Sequence, residues 1–112
     1  MNKSAKGRRN EHKSRQLLLG LGYSIVMRSA ASHGDWDLIA LSPALPTQLV
    51  QVKSNRKPPA LSDSVAYDPN WLLRYHVWKD YAHSPEIYDA RTGDHRGAEE
   101  IACRELDNPP LK

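Results

Sequence analysis

Three short β-patterned runs follow one another with little chain between them, and that spacing limits the fold more than any other feature. Tyr23–Arg28 alternates apolar with mostly polar residues, Trp36–Leu41 is an apolar run bounded by Gly34 and Pro43, and Gln48–Lys53 repeats the strand pattern. A small-residue loop, Ser29–Gly34, and a turn, Pro43–Pro46, are the only links. A parallel crossover needs a dozen or more residues, so strands joined this tightly lie side by side and antiparallel. Upstream, from about Arg9, Leu17, Leu18 and Leu21 fall at i, i+1 and i+4, and Gly20 and Gly22 supply a helix stop. A helix over an antiparallel meander is an α+β unit.

Beyond Lys53 the pattern is looser. Ser54–Ala60 reads as a polar, proline-containing loop, and Leu61–Trp71 is expected to hold a helix interrupted at Asp68-Pro69. Leu73, Tyr75 and Val77 alternate as in a strand, while Trp71, Tyr75, Trp78 and Ala82 also fit a helical stripe. With His83-Ser84-Pro85 as a turn before Glu86–Ala90, a hairpin is the favoured expectation. A short acidic helix over Ala98–Leu106 follows. The chain of 112 residues fits one domain, 1–112, with a flexible basic arm at 1–9 and a flexible tail at 107–112.

Several classes are excluded early. No apolar run is long enough to span a bilayer, and Met1-Asn2-Lys3-Ser4 lacks the apolar core of a signal peptide, so a cytoplasmic protein without a membrane partner is expected. Cys103 is the single cysteine, which rules out an intrachain disulfide or a cysteine-built zinc site, and a packing role is expected for it. The five histidines, His12, His33, His76, His83 and His95, have no spacing that argues a shared metal. Trp71, Trp78 and the tyrosines read mostly as core or dimer contacts, with stacking on unpaired bases as the lesser alternative to packing. Net charge is only +3, but residues 1–28 carry Lys3, Lys6, Arg8, Arg9, Lys13, Arg15 and Arg28 against one acid, Glu11. That asymmetry fits a face for an anionic polymer, and equally a solvated basic tail.

Four polar residues stand where the apolar period turns inward. Glu11 lies seven residues, almost two helical turns, before Leu18 and shares its face. A carboxylate there is costly unless paired or bound to a metal. Side chains alternate along a strand, so Asp37 points with Ile39 and Leu41 while Trp36, Leu38 and Ala40 take the other face. Gln51 and Lys53 share a face of the third strand, roughly 6–7 Å apart. Two carboxylates and an amide oxygen are hard ligands suited to Mg²⁺. A lysine beside such a cation can hold the attacking water and offset charge developing on a phosphate.

The stretch Gly34-Asp35-Trp36-Asp37-Leu38-Ile39-Ala40-Leu41, followed by Leu49-Val50-Gln51-Val52-Lys53-Ser54, resembles the core of the PD-(D/E)xK nucleases. With Asn10-Glu11-His12-Lys13 and Val26–Gly34 added, residues 8–56 resemble more narrowly the archaeal-type Holliday junction resolvases. The resemblance implies a restriction-endonuclease-like α+β core, a central mixed β-sheet flanked by helices. It implies an Mg²⁺-dependent endonuclease, with Mn²⁺ as substitute and no small-molecule cofactor, that cuts four-way DNA junctions as a homodimer. By position it assigns Glu11, Asp37, Gln51 and the Val52 carbonyl to the metal, Lys53 to catalysis and Ser32 to the scissile region. Arg8, Arg9, Lys13, Arg28, Ser32, His33, Arg56 and Lys57 are the candidate DNA contacts. Gln51 departs from the glutamate usual in those resolvases, keeping an oxygen ligand but losing a charge.

Each residue also has a plainer role open to it. Glu11 fits a first-turn acid facing the helix dipole, Asp37 fits a cap on backbone amides, with Asp35 beside it as the better capper, and Lys53 fits a solvated strand end. His33 fits a solvated loop position. All four site residues taking plain roles at once is a poor joint explanation of their order. Three functions therefore compete: a junction-cutting nuclease, a repair or restriction-like nuclease for flaps or duplex DNA, and a DNA-binding module whose catalysis is weakened by Gln51.

Overall fold

A computed structural model of the chain describes residues 3–28, 36–62 and 66–96. Their element order is α1 (Lys3–Gly20), β1 (Ile25–Arg28), β2 (Leu38–Ser42), β3 (Leu45–Ser54), β4 (Leu72–Trp78), β5 (Glu86–Asp89) and β6 (His95–Arg96). The strands form a mixed six-stranded sheet in sequence order. β1, β2 and β3 are the expected antiparallel meander. β3 and β4 run parallel, Gln48–Ser54 against Leu72–Trp78, across a connection long enough for a crossover. β4 and β5 form the expected hairpin, and β6 closes antiparallel on β5.

The end of α1 follows from one glycine. Gly22 adopts φ 113° and donates its N–H to the Leu19 carbonyl at 3.1 Å, and Tyr23 donates to the Leu18 carbonyl at 3.3 Å. This is a Schellman closure, with Leu18 and Tyr23 packed in the same cluster beneath it. The helix starts at Lys3 rather than near Arg9, so the residues from Lys3 to Arg9, expected as a flexible arm, are helical. Lysine, alanine and arginine are strong helix formers and continue a helix without an apolar period. The face of α1 turned to the sheet is Asn10, Ser14 and Leu18, spaced i, i+4, i+8 and nearly solvent-free.

The sheet has a core on each side. Under α1 lie Leu18, Tyr23, Val26, Leu38, Ala40, Leu45 and Val50. On the opposite face lie Trp36, Leu49, Leu73, Tyr75, Val77 and Ala90, with Ile39, Leu61 and Tyr67 packed on them. Trp36 thus sits across the sheet from Leu38 and Ala40, with which it was grouped. It precedes β2, where the two-residue alternation does not yet apply. Its indole N–H donates to the Tyr67 hydroxyl at 3.0 Å, and the rings meet edge to face at 5.7 Å.

Among the described residues α1 is the one α-helix, and in the segment expected as a helix, Leu61–Trp71, the described residues 67–71 are not helical. Asp68 instead turns the chain: its carboxylate accepts from Asn70 N at 2.8 Å and its carbonyl from Trp71 N at 3.0 Å. The segment reaches back over the second core, where the Pro59 carbonyl accepts from the Tyr75 hydroxyl at 2.7 Å. No described helix is long and apolar enough to cross a membrane. The expected helix at Ala98–Leu106 and Cys103 lie outside the described residues.

Candidate active site

Asp37 stands just before β2, and its own N–H donates to the Val50 carbonyl at 2.8 Å. Its side chain then continues the pairing that the backbone of β2 leaves off: Oδ2 accepts the Val52 N–H at 2.8 Å. An amide at that point of β3 would otherwise lose its partner, since the last β2–β3 pair is Leu38 with Val50. The carboxylate is thus fixed against Val52, the residue between Gln51 and Lys53. The other oxygen, Oδ1, has no hydrogen-bond partner among the described residues. Asp37 is therefore both a cap and a held carboxylate with one open oxygen.

Gln51 and Lys53 leave β3 on the face away from α1. Gln51 is half-buried and pairs in register with Tyr75. It lines an open cavity of about 450 Å³ with Pro58–Ser62. Lys53 is exposed and lies opposite Val77 near the end of the strand. Asp37, Gln51, Val52 and Lys53 are thereby gathered around three consecutive residues of β3.

Glu11 sits elsewhere, on α1 across the sheet. Its side chain is only 19% exposed, and Arg28 Nε from the end of β1 stands 2.8 Å from Oε1. That oxygen is shut off from solvent and makes no aligned hydrogen bond, so the contact is a charge contact. Around it a cleft of about 220 Å³ is lined by Arg8, His12, Arg15, Arg28 and Leu38. Arg15 Nε donates to the Val26 carbonyl at 3.2 Å, tying α1 to β1. Three guanidinium groups against one carboxylate leave this cleft positive.

The described residues bring together no cluster of three or more histidine, cysteine or acidic side chains. The donors the chain offers are oxygen donors: the open Asp37 Oδ1, the half-buried Glu11 carboxylate and the Gln51 amide. This set fits a hard divalent cation in kind, with Glu11 engaged by Arg28 in the arrangement seen.

The candidate DNA contacts divide by location. Arg8 and Arg28 line the Glu11 cleft, and Arg28 remains 60% exposed while paired. Arg9 and Lys13 lie on the other flank of α1, with Lys13 Nζ 5.1 Å from the Trp78 ring centroid. Arg56 is exposed just past β3. Lys57 is turned to β5, donating to the Gly93 carbonyl at 3.2 Å and lying 5.2 Å from the Tyr88 ring centroid. Ser32 and His33 lie outside the described residues.

Two features escaped the sequence. His76 is fully buried beneath α1, its Nδ1 2.9 Å from Ser14 Oγ, which also accepts the Trp78 indole N–H at 2.8 Å. Burial, and then the nearby Arg74 guanidinium, lower its pKa from 6.5 to about 3. Tyr88 is held above the usual tyrosine range chiefly by donating its hydroxyl to Glu86 at 2.7 Å. Nothing in the spacing of β4 separates a histidine facing a serine from one facing water.

A six-stranded mixed sheet with a helix on one face is a restriction-endonuclease-like α+β core. A solved structure with this fold is Archaeoglobus fulgidus Hjc, a Holliday junction resolvase from an archaeal hyperthermophile. It is 17% identical, with a TM-score of 0.58, and the match covers 77% of this chain and 74% of that one. No protein-family model and no curated protein matches the chain.

Proposed function

We propose that the chain is a metal-dependent endonuclease that hydrolyses phosphodiester bonds in branched DNA, four-way junctions foremost, and works as a homodimer. The observation that carries this reading is the bond from Val52 N–H to Asp37, which sets a carboxylate beside the Gln51–Lys53 pair. The fold shared with a Holliday junction resolvase supports it. Asp37, Gln51 and the Val52 carbonyl would hold Mg²⁺ or Mn²⁺, while Glu11, paired with Arg28 on the α1 side of the sheet, stands outside that set in the arrangement seen. The cation supplies charge that polarises a phosphoryl oxygen and acidifies water.

The chain's own groups do the rest. Lys53, exposed beside the held carboxylate, places an ammonium where negative charge grows on the phosphate and hydrogen-bonds the attacking water. Water adds to phosphorus, the bond to the opposite ester oxygen breaks, and a proton ends on that oxygen to give a hydroxyl and a phosphomonoester. Arg8, Arg9, Lys13 and Arg56 hold flanking phosphates, which positions the backbone without reading sequence.

Two observations favour a second reading, a DNA-binding module with weak catalysis: Gln51 is neutral, and Arg28 already occupies Glu11. Incubation with a four-way junction, a flap and a linear duplex, with and without Mg²⁺, separates the readings. Mg²⁺-dependent cutting of the junction in preference to the duplex is expected. Preference for the flap or duplex points to a repair or restriction-like enzyme. Binding without cutting at any metal concentration overturns the nuclease.

A further inference from the structure

On the flank of α1 opposite the Glu11 cleft, a cavity of about 320 Å³ is lined by Arg9, Lys13, Trp78, Lys79 and Tyr81, with Asp80 the only acid on its wall. Tyr81 is fully exposed and has φ 66°, a backbone region that bulky side chains rarely adopt. It occupies the third position of a turn closed by Ala82 N–H on the Lys79 carbonyl at 3.1 Å, where glycine is the usual residue. The ring thus bears backbone strain without gaining burial, the combination expected of a side chain kept for an outside partner.

The turn is braced from β3. Asn55, itself at φ 68°, donates its N–H to the Trp78 carbonyl at 3.0 Å. Its side-chain oxygen accepts from Asp80 N at 3.0 Å, and its carbonyl accepts from Lys79 Nζ at 2.8 Å. Asn10 Nδ2 donates to Ser54 Oγ at 2.9 Å, fixing α1 to the same strand end. Ser54 pairs with Trp78, one step beyond Lys53 with Val77, so the cavity lies on the α1 side of the sheet one residue past Lys53 along β3.

An exposed ring on a cavity wall that also carries three cations is the chemistry of a single-stranded nucleic acid contact: a π-face for a base and a basic wall for its phosphates. We infer that Tyr81 stacks on an unpaired nucleotide, with Arg9, Lys13 and Lys79 on the adjoining phosphates, selecting DNA with unpaired bases next to the cut. This rests on the DNA reading above and adds a strand-selecting surface to it.

The test uses the full chain in EDTA, so that nothing is cut, with labelled oligo-dT and a blunt duplex followed by anisotropy. Tyr81→Ala is expected to weaken oligo-dT binding about tenfold and duplex binding less than twofold. Tyr81→Phe, which keeps the π-face, stays within twofold of the parent. Tyr81→Gly, which relieves the positive φ, melts no lower than the parent and shows the turn intact. The inference is overturned if the parent fails to bind oligo-dT at micromolar concentration. It is equally overturned if Tyr81→Ala binds oligo-dT like the parent, or loses duplex and oligo-dT alike. Cleavage with Mg²⁺ is read separately. Loss of the Tyr81 effect in a protein that cuts removes this surface alone, and a Tyr81 effect in a protein that never cuts removes the nuclease alone.

Discussion

Lowering the pH through the range where an ordinary histidine titrates probes the packing of α1 on β4. His76 is fully buried against Ser14, and its pKa is lowered from 6.5 to about 3. Between those values the unfolded chain binds a proton that the folded chain refuses. Stability from this group is therefore complete above pH 6.5 and is lost as pH falls toward 3. At pH 4.5, two units below the unfolded value, the loss amounts to about 2.5 kcal/mol, at 1.36 kcal/mol per unit. His76→Asn supplies the control, because its amide can face Ser14 as Nδ1 does but does not titrate. Urea unfolding at pH 7.5 and 4.5 reads both proteins. The void left by asparagine lowers stability at both pH values, and the parent is expected to lose about 2.5 kcal/mol more than the variant on acidification. Carboxylates contribute equally to both and cancel. Equal acid losses would refute the reasoning, showing that His76 is not held neutral beneath the helix.

Gly22→Ala should lower stability by about 1–2 kcal/mol, read by the urea midpoint. A Cβ there meets Leu45 Cδ1 at an ordinary 3.5 Å, so the cost is the backbone at φ 113°. Affinity for duplex DNA should fall steeply with salt, and removing Arg9 and Lys13 together should flatten the log–log slope by about 2; an unchanged slope removes those two from the DNA face. Gln51→Glu restores a charge next to Asp37 and should tighten Mg²⁺ binding about tenfold by calorimetry, with activity reached at lower metal. Unchanged binding would place the cation away from β3.

The meander was legible because linker lengths of a few residues leave antiparallel pairing as the only geometry, and the paired runs 36–41 and 48–53 carry enough apolar residues to mark both faces. The start of α1 was not, since its buried face continues as Ser14 and Asn10, which a search for apolar period passes over. Those two residues are inside because β4 and β3 offer them His76, Trp78 and Ser54 as partners, a fact of tertiary pairing. Asp37 shows both sides of the matter. Its position at a strand edge could be read from alternation, while its bond to Val52 depends on β2 starting one residue later. Glu11 was placed on the inward side correctly by the seven-residue spacing to Leu18. Its partner, Arg28, had been assigned to DNA, because nothing along the chain indicates that β1 ends over that turn of α1.

Asp37→Asn tests the central claim most directly, because asparagine keeps an oxygen to accept the Val52 N–H and removes only the charge. Cleavage of a four-way junction in Mg²⁺ is measured alongside junction affinity in EDTA and the melting temperature. The account predicts cutting by the parent, loss of cutting by at least about a hundredfold in the variant, and affinity and melting near those of the parent. An Asp37→Asn protein that folds, binds and cuts as the parent does would contradict it, leaving Asp37 a strand cap and no more.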